Sequence, residues 1–242
     1  STAAAAAASS SSSSTAAAAA VSAAWCGADH AEAARGTARL AQLGLWPKLR
    51  QYQQEGVRRA LAMGGRCMLA DEMGLGKSLQ ALCVVAALDA WPCVAVVPAV
   101  TRRGWAEEAE LHLGGVLTPS DVHIVYDQFD ALEESRPQPK LLIISPKMAT
   151  KLEPQLLRRE WRGAILDEAH TLRTSSTKED PPQIQALLRL LRHGSATKAL
   201  LLLTGTPAVT KVFDMFNQVD LLRPGLLGSS RVDFRNKCFD AV

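Results

Sequence analysis

Residues 70 to 78 read Ala70-Asp71-Glu72-Met73-Gly74-Leu75-Gly76-Lys77-Ser78, with the short apolar run Cys67 to Leu69 before them and a stretch of helical period after them. Two glycines ahead of a Lys-Ser pair describe a turn able to hold phosphate. Glycine adopts backbone angles closed to other residues, so successive N–H groups can turn inward on an anion at the positive end of the following helix. Lys77 then reaches the β- and γ-phosphates of a nucleotide, and the Ser78 hydroxyl holds Mg²⁺. The usual pattern G-x-x-x-x-G-K-[ST] wants glycine where this chain has Asp71, so the strict motif fails by one residue.

Two further strings close apolar runs: Asp167-Glu168-Ala169-His170 after Ala164 to Leu166, and Thr204-Gly205-Thr206-Pro207 after Leu200 to Leu203. An acidic pair near a phosphate turn supplies what nucleotide hydrolysis needs. Asp167 holds Mg²⁺, commonly through water, and Glu168 polarises the attacking water. Each string also has a plainer reading. Acidic residues favour the start of any helix, His170 alone reads as a helix-surface histidine, and Thr204 and Thr206 suit a helix cap. Their order, each at a strand end, favours a nucleotide site.

The elements that must position these residues follow from hydrophobic periodicity. Short apolar runs alternate with helical stretches from Leu40 onward, the pattern of a parallel sheet covered by helices. Strands are predicted at Arg66 to Ala70, Cys93 to Val97, His123 to Tyr126, Leu141 to Ser145, Ala164 to Asp167 and Ala199 to Thr204. Helices are predicted at Gln53 to Met63, Ser78 to Ala90, Trp105 to Leu113, Met148 to Arg159, Gln183 to Arg192 and Ala208 to Leu222. The fold class is α/β, a doubly wound, mainly parallel sheet with helices on both faces. In such sheets ligands collect at the carboxyl ends of the strands, which is where the three strings fall.

Composition sets the outer limits. Of the first 24 residues 23 are Ala, Ser or Thr, and no charge precedes Asp29. Residues 1 to 38 therefore read as a disordered low-complexity segment, and 40 to 242 as the folded lobe. Without early Arg or a Leu-rich stretch, the opening does not read as a targeting peptide. No run approaches the ~20 apolar residues that a membrane helix needs. The five cysteines, at 26, 67, 83, 93 and 238, form no C-x-x-C pair and read as reduced core residues rather than zinc ligands. A net charge of +3 permits an acidic polymer as partner without demanding one.

Taken together, Asp71 to Gln80, Asp167 to His170 and Leu203 to Pro207 resemble motifs I, II and III of the SWI/SNF-type ATPases of helicase superfamily two. Asp71 in place of glycine is the rule there. Leu49 to Val57 resembles the family's adenine-reading segment, and Val97-Pro98 through Glu108 resembles motif Ia. The spacing, with Trp105 and the closing Asp233 to Ala241, is most similar to the annealing-helicase branch, whose members remodel forks.

The resemblance implies the first of two RecA-like lobes, using ATP and Mg²⁺ and acting on DNA in the nucleus. It puts Gln53 on the base and Asp71, Gly74, Leu75, Gly76, Lys77 and Ser78 around the nucleotide. Lys77 and Glu168 are catalytic, and Ser78 and Asp167 hold the metal. His170, Thr204 and Thr206 pass nucleotide state to the DNA path, and Arg102 and Arg103 meet DNA phosphates. A second lobe with arginine fingers has no counterpart in these 242 residues, so a half-site is expected, with no membrane association. Two other readings stay open: a stand-alone nucleotide-binding regulatory or scaffold module, and a DEAH-type RNA helicase lobe. The latter carries Ser-Ala-Thr as its third motif, where this chain has Thr204-Gly205-Thr206-Pro207.

Overall fold

The computed structural model describes residues 30–130, 137–174, 179–193, 198–207 and 212–238. Among them six strands form one wholly parallel sheet: β1 Arg66–Leu69, β2 Cys93–Val96, β3 Val122–Ile124, β4 Leu141–Ile144, β5 Gly163–Asp167 and β6 Ala199–Leu203. Their spatial order is β1-β6-β5-β2-β4-β3. All six predicted strands are present. Because parallel strands are covered on both faces, they read as unbroken apolar runs such as Leu141 to Ile144 rather than as alternating ones.

Alternation reappears in three dimensions. Cys67, Leu69, Cys93, Ala95, Leu141, Ile143, Ile165, Leu201 and Leu203 point to one core, shared with helices α1 (His30–Gln42), α2 (Gln51–Ala62), α3 (Lys77–Ala87) and α4 (Arg102–Leu113). The interleaved Val94, Val96, Leu142, Ile144, Ala164, Leu166, Leu200 and Leu202 face a second core. That core is completed by α5 (Pro146–Lys151), α6 (Glu153–Leu157), α7 (Pro182–Arg192) and α8 (Phe216–Leu222). The sheet is therefore doubly wound, as expected. A final helix, α9, spans Arg231–Cys238.

Three expectations change. The folded part does not start at residue 40: α1 begins at His30 and buries Ala33, Gly36 and Leu40. Its alanine-rich sequence hid a face whose Gly36 lies so close to α2 that a Cβ there would come within 2.7 Å of Leu61 Cδ1. The helix predicted from Met148 to Arg159 is two helices meeting at Leu152, because Pro154 offers no N–H and its ring would strike the carbonyl four residues earlier. The helix predicted from Ala208 is a 3₁₀ turn at Val212–Met215 followed by α8, with 208–211 outside the described residues. Most of the low-complexity opening and the last four residues also lie outside them.

Candidate nucleotide site

The strand order brings β1, β6 and β5 side by side, and their carboxyl ends carry the three strings. Between β1 and α3 the chain turns through Gly74 at φ 81° and Gly76 at φ 71°, both left-handed. A Cβ on Gly74 would meet nothing within 4 Å, whereas one on Gly76 would overlap Gln53 Nε2. Gly76 caps α3 with no side-chain partner for the first N–H groups of that 11-residue helix. This is an open, positively polarised cradle of the kind that accepts phosphate. Lys77 Nζ reaches back over the turn and donates to the carbonyls of Asp71 (2.7 Å) and Glu72 (2.9 Å).

The turn is braced from beneath. Gln53 is buried, its Nε2 donates to the Leu75 carbonyl (3.1 Å), and its Oε1 accepts the Arg50 N–H (2.9 Å). Asp71 turns its carboxylate toward α3 and accepts from Gln80 Nε2 at 2.8 Å. That bond gives Asp71 a structural reason to stand where the common motif has glycine. Gln80 is fully buried against α2, where Gly56 leaves the space its Oε1 occupies.

At the end of β5 the carboxylate of Asp167 is held from two sides. Its Oδ1 accepts the Glu168 N–H (2.9 Å), and its Oδ2 accepts Trp105 Nε1–H (3.1 Å) from α4. Glu168 itself is left-handed, at φ 53° and ψ 49°. For a non-glycine residue this costs roughly 1–2 kcal/mol and tends to persist where function needs it. Its Oε2 lies 3.1 Å from His170 Nδ1, which in turn is 3.3 Å from Thr204 Oγ1. Thr204 is fully buried and accepts the Thr206 N–H (3.1 Å). Glu168, His170, Thr204 and Thr206 thus form one chain of contacts from β5 to β6.

The predicted metal ligands meet through α4. Ser78 Oγ donates to Glu108 Oε2 at 2.6 Å, and Glu108 stands one helical turn beyond Trp105. Ser78 and Asp167 offer hard oxygens only, which suits Mg²⁺. Among the described residues no three His, Cys, Asp or Glu side chains converge as a metal cage. Mg²⁺ ordinarily takes one or two protein oxygens together with substrate phosphates, so the donor set fits.

The predicted DNA pair divides. Arg102 lies over the Tyr126 ring at 5.1 Å and donates to the carbonyls of Ala99, Val125 and Tyr126, clamping the end of β3. Arg103 is 80% exposed, beside Glu107 at 2.8 Å. A cleft of about 550 Å³ at the ends of β2, β3 and β4 is lined by Arg102, Lys147, Lys151, Tyr126 and Phe129 among others, and so carries three cations. Neither Lys147 nor Lys151 is among the residues expected to meet DNA. They sit one turn apart on a helix whose position only the fold reveals. Three of the cysteines behave as expected: burial pushes the Cys67 and Cys83 thiols up to about 12 and raises Cys93 as well, whereas Cys26 and the side chain of Cys238 lie outside what is described.

The sequence profile described as SNF2-related domain matches residues 52–240. The chain belongs to this family. The SNF2-related domain seen here is 34% identical over 174 residues to the SWI/SNF-related matrix-associated actin-dependent regulator of chromatin subfamily A-like protein 1 of Bos taurus, covering 72% of this chain and 17% of that protein. Its similarity to the Drosophila melanogaster protein of the same name is 32% over 201 residues, covering 81% of this chain and 25% of the relative. The human DNA annealing helicase and endonuclease ZRANB3 is 30% identical over 185 residues, 75% of this chain and 16% of that one. Among solved structures, the Sulfolobus solfataricus SWI2/SNF2 ATPase core in complex with dsDNA superposes with a TM-score of 0.61 at 26% identity, covering 78% of this chain and 38% of that chain. The SNF2-related domain here thus spans a quarter or less of these full-length relatives. Helix α1 lies outside the matched residues yet packs on α2 and α3, so it is part of the same folded lobe. No helix among the described residues is long and apolar enough to cross a membrane.

Proposed function

We propose that this chain is the ATP-binding lobe of a DNA-dependent ATPase and translocase that remodels DNA, in the manner of the annealing helicases, and works in the nucleus in fork repair. The observation that carries the reading is the convergence of the glycine turn, the acidic pair and the buried threonine on the carboxyl ends of three adjacent strands. Lys77 exchanges its Asp71 and Glu72 carbonyl partners for phosphate oxygens, with the first N–H groups of α3 beside it. Gln53, whose amide spans Arg50 and Leu75, ties recognition of the base to the shape of the turn. Ser78 and Asp167 would hold Mg²⁺, which when bound supplies charge neutralisation on the β- and γ-phosphate oxygens.

Glu168 accepts the hydrogen bond of the attacking water and orients it toward phosphorus. Its contact with His170, continued to Thr204 and Thr206, gives a route by which a change at the acidic pair reaches the next strand. Arg103 and the lysines of the cleft at the ends of β2, β3 and β4 are exposed cations able to meet a DNA backbone. A second RecA-like lobe completes the site, because an arginine finger is worth about 10³ to 10⁵ in turnover.

The test is hydrolysis and binding measured side by side. The 242 residues bind Mg·ATP with negligible DNA-stimulated phosphate release, and the same residues joined to a second lobe hydrolyse ATP in response to duplex DNA. Lys77→Ala and Glu168→Gln abolish that turnover. Robust hydrolysis by the 242 residues alone would refute the half-site reading. The commitment of Arg102 to β3 favours a second reading, a nucleotide-binding module without motor action. ATP binding with no DNA response in the two-lobe protein would select it.

A further inference from the structure

We propose that Trp105 and Glu108 of α4 are positioning residues for the magnesium site: they fix the two protein ligands, Asp167 and Ser78, from one face of a single helix. The inference rests on the nucleotide-site reading above and gives a role at the metal to two residues of the segment that resembles motif Ia. Trp105 and Glu108 stand three apart, so their side chains leave the same side of α4. The first reaches the end of β5 and the second reaches the start of α3.

The chemistry of each contact is specific. A serine hydroxyl that lends a lone pair to a cation must send its proton elsewhere. Glu108 Oε2, 2.6 Å from Ser78 Oγ, accepts that proton in a hydrogen bond of the short, charge-assisted kind. The hydroxyl is thereby rotated so that its lone pairs face away from α4. Trp105 Nε1 offers a donor and no acceptor, so its 3.1 Å bond to Oδ2 can only fix the carboxylate and leaves the other lone pairs available. With the Glu168 N–H on Oδ1, both oxygens of Asp167 are anchored and the carboxylate plane is set. Trp105 is 4% exposed, so the ring cannot swing to another partner without unpacking α4 from the sheet. Groups that orient metal ligands in this way typically change metal affinity by 10–100-fold when removed.

The experiment measures metal affinity without turnover. Mn²⁺ is titrated into the 242-residue chain with saturating ADP and followed by electron paramagnetic resonance. ADP binding is measured separately in EDTA. Trp105→Phe, which keeps a ring but loses the N–H, and Glu108→Ala are expected to weaken Mn²⁺ binding by roughly 10-fold or more while leaving metal-free ADP affinity within about two-fold. Glu108→Gln retains an acceptor for the Ser78 proton and is expected to recover most of the loss. Metal affinity unchanged in both Trp105→Phe and Glu108→Ala overturns the proposal. So does a parallel loss of metal-free and metal-bound ADP binding, which would mark a merely structural helix. If the unaltered chain binds ADP with no dependence on Mn²⁺, the underlying nucleotide-site reading fails instead.

Discussion

The two glycines of the phosphate turn share a left-handed backbone but not their surroundings, and that difference makes a quantitative test. Alanine at either position incurs the left-handed penalty of roughly 1–2 kcal/mol, reduced by up to ~1 kcal/mol through the lower entropy of the unfolded chain. For Gly74→Ala nothing else changes, since a Cβ there has open space, and the net loss is about 1 kcal/mol. For Gly76→Ala the new methyl displaces Gln53 Nε2. The buried amide then loses its bonds to the Leu75 carbonyl and the Arg50 N–H, worth about 0.5–1.5 kcal/mol each. The expected total for Gly76→Ala is about 2–4 kcal/mol. At roughly 2–4 °C per kcal/mol for a domain of this size, the thermal midpoint falls several degrees further than for Gly74→Ala. In a Gln53→Ala background the clash is gone, and Gly76→Ala should cost no more than Gly74→Ala does. Calorimetry or urea unfolding of the four variants reads the coupling directly. Equal losses for the two glycines, or no coupling between 53 and 76, would refute the claim that Gln53 braces the turn.

Leu40→Ala in α1, at a side chain with no exposure, should destabilise the whole lobe by about 2–5 kcal/mol. Unfolding indistinguishable from the parent would mean that α1 is not part of the cooperative unit. The thiols of Cys67, Cys83 and Cys93, raised by burial, should resist maleimide at neutral pH until the protein is unfolded, as mapped by peptide mass spectrometry. Modification of Cys93 in the folded chain would contradict the core described here. Asp121 is held below the usual carboxylate range chiefly by the Thr118 N–H, and Asp130 by the Asp127 and Tyr126 N–H groups. Because their folded values are depressed, the stability they confer is complete above the ordinary value near 3.9 and disappears as pH falls through the lowered ones. Asp121→Asn and Asp130→Asn should therefore flatten the acid side of a stability profile, and an unchanged slope below pH 4 would count against these bonds.

What the chain discloses before folding depends on how local the cause is. Strands such as Leu141 to Ile144 are legible because burial on both faces demands an unbroken apolar run. The glycine turn is legible because left-handed angles and a Lys-Ser pair are local chemistry. Helix α1 is not, since Ala33, Gly36 and Leu40 gain meaning only once Leu61 lies across from them. The break at Leu152 could have been read from Pro154, but the helical period of the surrounding leucines masks it. Within the site, the identity of Asp167 was visible while its partner was not: Trp105 lies 62 residues earlier, and only the adjacency of β5, β2 and α4 joins them. The same holds for Ser78 and Glu108. Arg102 and Arg103 are neighbours of one type, and only the position of Tyr126 decides that the first is committed to the fold and the second faces solvent.

Function of this lobe requires a nucleotide's phosphates seated in the turn ahead of Lys77, with a metal between that turn and the acidic end of β5. Crystals of the chain grown with ADP and Mn²⁺ and measured at the manganese edge would address this directly. The predicted result is a single anomalous peak beside Ser78 Oγ, on the side facing Asp167, with the β-phosphate against the first N–H groups of α3. A nucleotide bound elsewhere, or manganese on a face of the lobe away from both Lys77 and Asp167, would contradict it.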